Sequence, residues 1–176
     1  MKTSGARGYQ HVNSIDFQTV CITGGAGFVG SNLAVLFKQA NPHLHIIAAD
    51  SLKRRGSELS LRRIQEQGIE FFHTDIRCPE DMATLPDFDL LIDCSAEPSA
   101  QAGLGESPLY LLHTNLVGTI NCLEAARKRN AAFLFLSTSR VYPIASLNAL
   151  PFEERDMRFA WTSDTPAAGA SPGGIS

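Results

Sequence analysis

Residues 21–32 read CITGGAGFVGSN, and the fold turns on what this stretch is for. Gly24, Gly27 and Gly30 recur every third residue. Before them, residues 17–23 (FQTVCIT) form a short apolar run, expected as a buried strand. After them, from Ser31, the apolar residues Leu33, Leu36, Phe37 and Ala40 recur at helical spacing. A glycine triplet between a strand and a helix has a definite physical use. Gly24 permits a tight turn, Gly27 a close approach of backbone to a pyrophosphate, and Gly30 close packing of helix on sheet. The free N–H groups and the dipole of the helix then face the phosphates. The spacing is G-x-x-G-x-x-G rather than G-x-G-x-x-G, so its context carries the reading.

Asp50 strengthens it. This acid lies twenty positions beyond Gly30, at the end of a second expected strand, HLHIIAAD at 43–50. A carboxylate there can bind both hydroxyls of a ribose. It also repels a 2′-phosphate. Arg54 and Arg55 could offset that charge, but Ser51 follows Asp50 directly, so the expected cofactor is NAD rather than NADP.

Working outward, GSELSLRRIQEQ (56–67) reads as a polar helical crossover and IEFFHTD (69–75) as a third strand. DLLIDCSA (89–96) is a fourth strand, apolar until Asp93. Ser107-Pro108 opens a helix whose apolar stripe runs through Leu109, Leu112, Leu116, Ile120 and Leu123 toward Arg129. AAFLFLSTS (131–139) is a fifth strand and the most continuously apolar. Strands alternating with helices predict an α/β, Rossmann-type doubly wound parallel sheet of order 3-2-1-4-5, incomplete at its C-terminal side. The expected organisation is a flexible extension at 1–16, a dinucleotide-binding domain at 17–142, and an irregular or disordered tail at 143–176. That tail holds Pro143, Pro151, Pro166 and Pro172 and no sustained periodicity.

Composition narrows the partners. At 44% hydrophobic and 19% charged residues, the chain is globular rather than disordered. A formal charge of −3 gives no electrostatic reason to expect nucleic acid or an anionic membrane. No apolar run approaches the roughly 18 residues of a membrane span. Cys21, Cys78, Cys94 and Cys122 form no C-x-x-C pair and the five histidines are scattered, so no metal site is expected. A reducing cytoplasm suits this cysteine usage.

Five ordered motifs then carry a resemblance: TGGAGFVGSNL, Asp50, HTDIR (73–77), TNLVGTINCLEAAR (114–127) and FLSTSRVY (135–142). Together they resemble the extended short-chain dehydrogenase/reductases, the NAD-dependent epimerase/dehydratases of nucleotide sugars. DSLKRRGSELSLRRI and STSRVYPIASLNALP are most similar to the CDP-paratose 2-epimerase (CDP-tyvelose epimerase) branch. The resemblance implies that Gly24, Gly27 and Gly30, with the backbone of Phe28 and Val29, hold the pyrophosphate. It places Asp50 on the adenosine ribose, with Ser51, Leu52 and Arg54 alongside, and Asp75 and Ile76 on adenine. Cys94, Ser95 and Ala96 would face the nicotinamide side, although the family usually has a histidine and small apolar residues where this chain has DCSAEPS. Asn115 resembles an asparagine that kinks or hydrates the central helix; a satisfied helix polar group is the plainer alternative. Thr138 aligns with the catalytic serine or threonine, or is a strand-end threonine.

The mechanism implied by the family also needs a tyrosine with a lysine four residues later, which lowers the phenol's pKa so that it accepts a proton near neutral pH. Four residues beyond Tyr9, Tyr110 and Tyr142 stand Asn13, Thr114 and Ser146, and the last lysine is Lys128. The expectation is an N-terminal, NAD-binding part of a nucleotide-sugar epimerase, inactive alone, with its sugar-selecting lobe missing and an exposed sheet edge that favours a homo-oligomer. A non-catalytic NAD-binding or sensor module stands as the alternative, as does another family reaction: 4-epimerase, dehydratase or reductase.

Overall fold

Strand β1 (Thr19–Thr23) is the centre of the main sheet, and Val20 to Thr23 are buried on both of its faces. Alternate side chains of a strand point to opposite faces. Val20 and Ile22 join Ile46, Ala48 and Ile92 on one face, beneath Ala34 of helix α1 (Phe28–Ala40) and Ile64 of α2 (Leu61–Glu66). Cys21 joins Ile47, Ala49 and Leu91 on the other, beneath Met82 of α3 (Pro79–Thr84) and Cys122, Ala125 and Ala126 of α5 (Gly118–Lys128). Helices on both faces of one parallel sheet make the architecture doubly wound.

The computed structural model describes residues 17–99, 101–105, 107–138, 144–162, 170–171 and 174–175. It divides into two compact units, Met1–Leu136 and Ser137–Ser176. The first unit carries five parallel strands in the order β3-β2-β1-β4-β5, as expected: β1, β2 (His45–Asp50), β3 (Glu70–His73), β4 (Leu90–Asp93) and β5 (Ala132–Phe135). In register, Thr23 lies beside Ala49 of β2 and Asp93 of β4, and Asp50 beside His73 of β3. All carboxyl ends therefore open on one edge. The chain steps from β1 toward β3 on one side and to β4 and β5 on the other, so a switch point lies between β1 and β4.

Two apolar segments form as read but are less buried than their composition suggests. The fifth strand, though the most apolar in sequence, is not buried: Leu134 and Phe135 are about half exposed. The reason is position, since β5 pairs only with β4 and is an edge of the described sheet. The apolar stripe after Ser107 forms as a helix, but Leu109, Leu112, Leu116, Ile120 and Leu123 are all exposed. That helix comprises α4 (Leu109–Leu112), a π turn at His113–Val117, and α5.

Helix ends follow their residues. Pro79 stands in the first turn of α3 with Glu80 and Asp81, which suit its dipole. Arg127 and Lys128 close α5, and Asn130 follows in the left-handed region at φ 52°. Arg129 bonds the Leu85 carbonyl at 2.7 Å and lies over the Phe88 ring at 4.8 Å, tying α5 to the segment after α3. The RKR run at 127–129 thus serves a helix end.

The second unit contains a short helix α6 (Ile144–Asn148) and an antiparallel hairpin, β6 (Phe152–Arg155) with β7 (Arg158–Trp161). Phe152 and Phe159 meet edge to face across it, with ring centroids 5.2 Å apart. A two-residue pair, β8 (Ala170–Ser171) with β9 (Gly174–Ile175), follows. Sequence periodicity anticipated neither pair. The extension at 1–16, and Tyr142 of the Val-Tyr pair, lie outside the described residues. Among the described residues no helix is long and apolar enough to cross a membrane, and no three potential metal ligands gather.

Candidate functional site

The turn from β1 to α1 is built by exclusion. Gly24 adopts φ +63°, and a Cβ there would lie 2.8 Å from the Cys94 carbonyl oxygen. At Gly30 a Cβ would lie 2.2 Å from the Gly24 carbonyl oxygen. Only glycine lets the helix start so close to the strand. The helix begins at Phe28, three residues before the expected start, with Gly27 as its cap. Gly27 has no side chain to cap the first turn, and no acid occupies that turn. The first-turn N–H groups lack partners within the helix, and Phe28 and Val29 line a cleft of about 700 Å³. This suits an anionic diphosphate.

The cleft runs along the carboxyl edge of the sheet. Of the residues singled out from sequence, Gly24, Gly27, Phe28, Val29 and Gly30 line it at the β1 turn. Asp50, Ser51 and Arg54 line it after β2, Asp75 and Ile76 after β3, and Cys94, Ser95 and Ala96 after β4. Leu52 and Asn115 do not. The Leu52 N–H donates to Asp50 Oδ1 at 2.8 Å. Asn115 sits in the π turn, where its amide accepts from the Glu97 N–H at 2.8 Å and donates to the Glu97 carbonyl at 3.3 Å. It is a satisfied polar group that fixes the loop after β4. Thr138 belongs to the second unit, with an exposed side chain.

Asp50 is held by the loop it serves. Its Oδ2 accepts the Ala26 N–H at 3.1 Å, while Oδ1 takes that of Leu52. Each carboxylate oxygen has a further lone pair, so acceptor capacity remains for ribose hydroxyls. Asp75 is more committed. Its carboxylate accepts the Arg77 N–H at 3.0 Å and Arg77 Nε at 2.8 Å, and also pairs with Arg77 Nη2. The guanidinium beside it holds the Asp75 carboxyl below the usual range. Ile76 is placed from α5: Asn121 Nδ2 donates to its carbonyl at 2.8 Å, and Gly118 leaves room for its side chain.

At the switch point Asp93 is 1% exposed. It accepts from Thr23 Oγ1 at 2.8 Å, the Ser95 N–H at 3.0 Å and Thr119 Oγ1 at 3.2 Å. One buried carboxylate thus ties β1, β4 and α5 together, in the segment where this chain departs from the resemblance. Burial, and then the Asp93 charge, push the neighbouring Cys94 thiol up to about 12. It therefore stays protonated at neutral pH.

Several lining residues were not anticipated: Lys53, Arg77, Tyr110 and Thr114. Basic neighbours of Asp50 were visible in LKRR. Tyr110 and Thr114 come from a different helix, and no local pattern marks them.

The comparisons agree with this geometry. Residues 20–163 match the NAD dependent epimerase/dehydratase family. The chain is similar to a dTDP-glucose 4,6-dehydratase of Mycobacterium tuberculosis, 31% identical over 86% of this chain and 43% of that protein. It is similar to the CDP-paratose 2-epimerase of Salmonella typhi, 32% identical over 78% of this chain and 41% of that one. Among solved structures it resembles a UDP-glucose 4-epimerase of Stenotrophomonas maltophila with bound NAD, at 27% identity and TM-score 0.60, over 71% of this chain and 38% of that one. The chain therefore spans about two fifths of the length of these relatives. With its glycine turn, its Asp50 and its sheet order all in place, the chain belongs to the NAD dependent epimerase/dehydratase family, whose cofactor is NAD.

Proposed function

We propose that this chain is the NAD-binding part of a nucleotide-sugar epimerase and that it binds NAD without turning over by itself. The observation that carries the reading is the single cleft shared by the glycine turn, Asp50, and the Asp75-Ile76 and Cys94–Ala96 segments. In this reading the Phe28 and Val29 N–H groups receive the pyrophosphate and Asp50 the adenosine ribose. Ile76 packs against adenine, and the Cys94–Ala96 segment borders the nicotinamide. When bound, NAD supplies a hydride acceptor, so a sugar carbon can be oxidised transiently and re-reduced. The Thr138 hydroxyl would hydrogen-bond the sugar oxygen being oxidised. Similarity to the CDP-paratose 2-epimerase supports C2 of a CDP-sugar as the reacting centre. A cytoplasmic protein is the fitting setting for free thiols.

The missing Tyr-x-x-x-Lys pair supports lack of turnover, because no side chain in that pattern can take the sugar's proton. The test is incubation of this chain with NAD and a CDP-sugar, with absorbance at 340 nm and proton NMR as readouts. Saturable NAD binding with no new sugar epimer is expected. An epimer formed by this chain alone would overturn the reading. The same sequence fact favours a second reading, a non-catalytic NAD-responsive module. The two separate on whether NAD binding changes affinity for a protein partner or for a nucleotide sugar.

A further inference from the structure

Three segments far apart in sequence meet on one aromatic ring. Tyr110, on α4, has Lys53 Nζ 3.8 Å from its ring centroid and Arg77 Cζ at 5.4 Å. Lys53 stands three residues past Asp50 in the loop after β2. Arg77 stands after β3 and grips the Asp75 carboxylate. All three line the cleft. A cation near a ring face is attracted by the ring's quadrupole, so the loops after β2 and β3 are both drawn to α4.

Strain in the first loop shows what this contact holds. Leu52, between Asp50 and Lys53, has φ 52°, a left-handed conformation unfavourable for a bulky residue. Such a residue persists only where its surroundings hold it. On one side its N–H is bound to Asp50. On the other, Lys53 is bound to Tyr110.

We infer that Tyr110 is a positioning residue for an adenine nucleotide: by gripping Lys53 and Arg77 it keeps the Asp50–Lys53 loop and Asp75 in their receiving arrangement. This rests on the reading of the cleft as the NAD site.

The test is calorimetric binding of NAD and of ADP-ribose to the wild type, Tyr110→Leu, Tyr110→Phe, Lys53→Met and the Tyr110→Leu/Lys53→Met double variant. Tyr110→Leu and Lys53→Met should each weaken both ligands by roughly 3- to 30-fold. Tyr110→Phe, which keeps the ring face, should stay within about twofold of wild type. The double variant should be little worse than either single one, since the residues act as a unit. Wild-type affinity in Tyr110→Leu, a Phe variant as weak as the Leu variant, or additive losses would overturn the inference and leave the cleft assignment standing. Failure of the wild type to bind both NAD and ADP-ribose would overturn the cleft assignment and this inference with it. Lys53 is exposed, so Lys53→Met tests the contact even if Tyr110→Leu folds poorly.

Discussion

At the scale of single residues, the proposed recognition of the adenosine half rests on the loops that carry two carboxylates, Asp50 and Asp75. Asp50 keeps capacity to accept from ribose hydroxyls and repels a 2′-phosphate, while Arg54 and Arg55 nearby pull the other way. Loss of hydrogen bonds to a charged acceptor is expected to dominate. Asp50→Ala should weaken NAD by about tenfold or more and narrow its advantage over NADP, as read by parallel titrations. Asp75 makes a prediction in pH. Its folded pKa is depressed, chiefly by the Arg77 hydrogen bonds. Such a group contributes stability above its unfolded value, near ~3.9, and loses it as pH falls through the lower folded value. The stability difference between wild type and Asp75→Asn should therefore be flat from neutral pH to about pH 5 and close below about pH 4, by denaturant unfolding at each pH. Asp50 was legible in the sequence because its distance from the glycines is set by one helix and one strand. Tyr110 was not, because its partners Lys53 and Arg77 reach it only through the winding of the sheet.

At the scale of elements, β1 to α1 is the decisive junction, and its glycines are read directly from sequence. Alanine in place of glycine normally stabilises a helix interior by about 1 kcal/mol. Gly30 should invert that sign, because its Cβ would stand 2.2 Å from a backbone oxygen that cannot move aside. Gly30→Ala should lower the melting temperature by several degrees, from an overpacking cost of about 1–3 kcal/mol. A raised melting temperature would show that the junction has room. Elements lost in the sequence reading were short or at an edge. Helix α3 has six residues, too few for a periodic pattern to declare itself. The hairpin at 152–161 interleaves charges and aromatics, FEERDMRFAW, without a clean alternation. Strand β5 was recognised as a strand, but its apolarity reported what could cover it rather than what does.

At the scale of the molecule, the sheet order and the edge that carries the cleft followed from the alternation of strands and helices, because right-handed crossovers leave few arrangements. Exposure of Leu109, Leu112, Leu116, Ile120 and Leu123 on one helix did not follow, since periodicity states which residues share a face and not what lies against it. A contiguous apolar surface of this kind marks association. This chain should therefore self-associate at micromolar concentrations, and Leu116→Lys with Ile120→Lys should shift sedimentation velocity profiles toward the monomer. A wild type that stays monomeric would count against that reading.

The claim on which the rest depends is that the glycine turn and Asp50 form an NAD site. Calorimetric titration of NAD into the wild type and into Gly27→Val tests it most directly. A Cβ at Gly27 would lie 3.0 Å from the Gly24 carbonyl oxygen, at the cap of α1 where the proposal places the pyrophosphate. Saturable one-to-one binding by the wild type, weakened at least about tenfold in the variant while both remain folded by circular dichroism, is the predicted result. Equal affinity in the two proteins, or no saturable binding in the wild type, would contradict it.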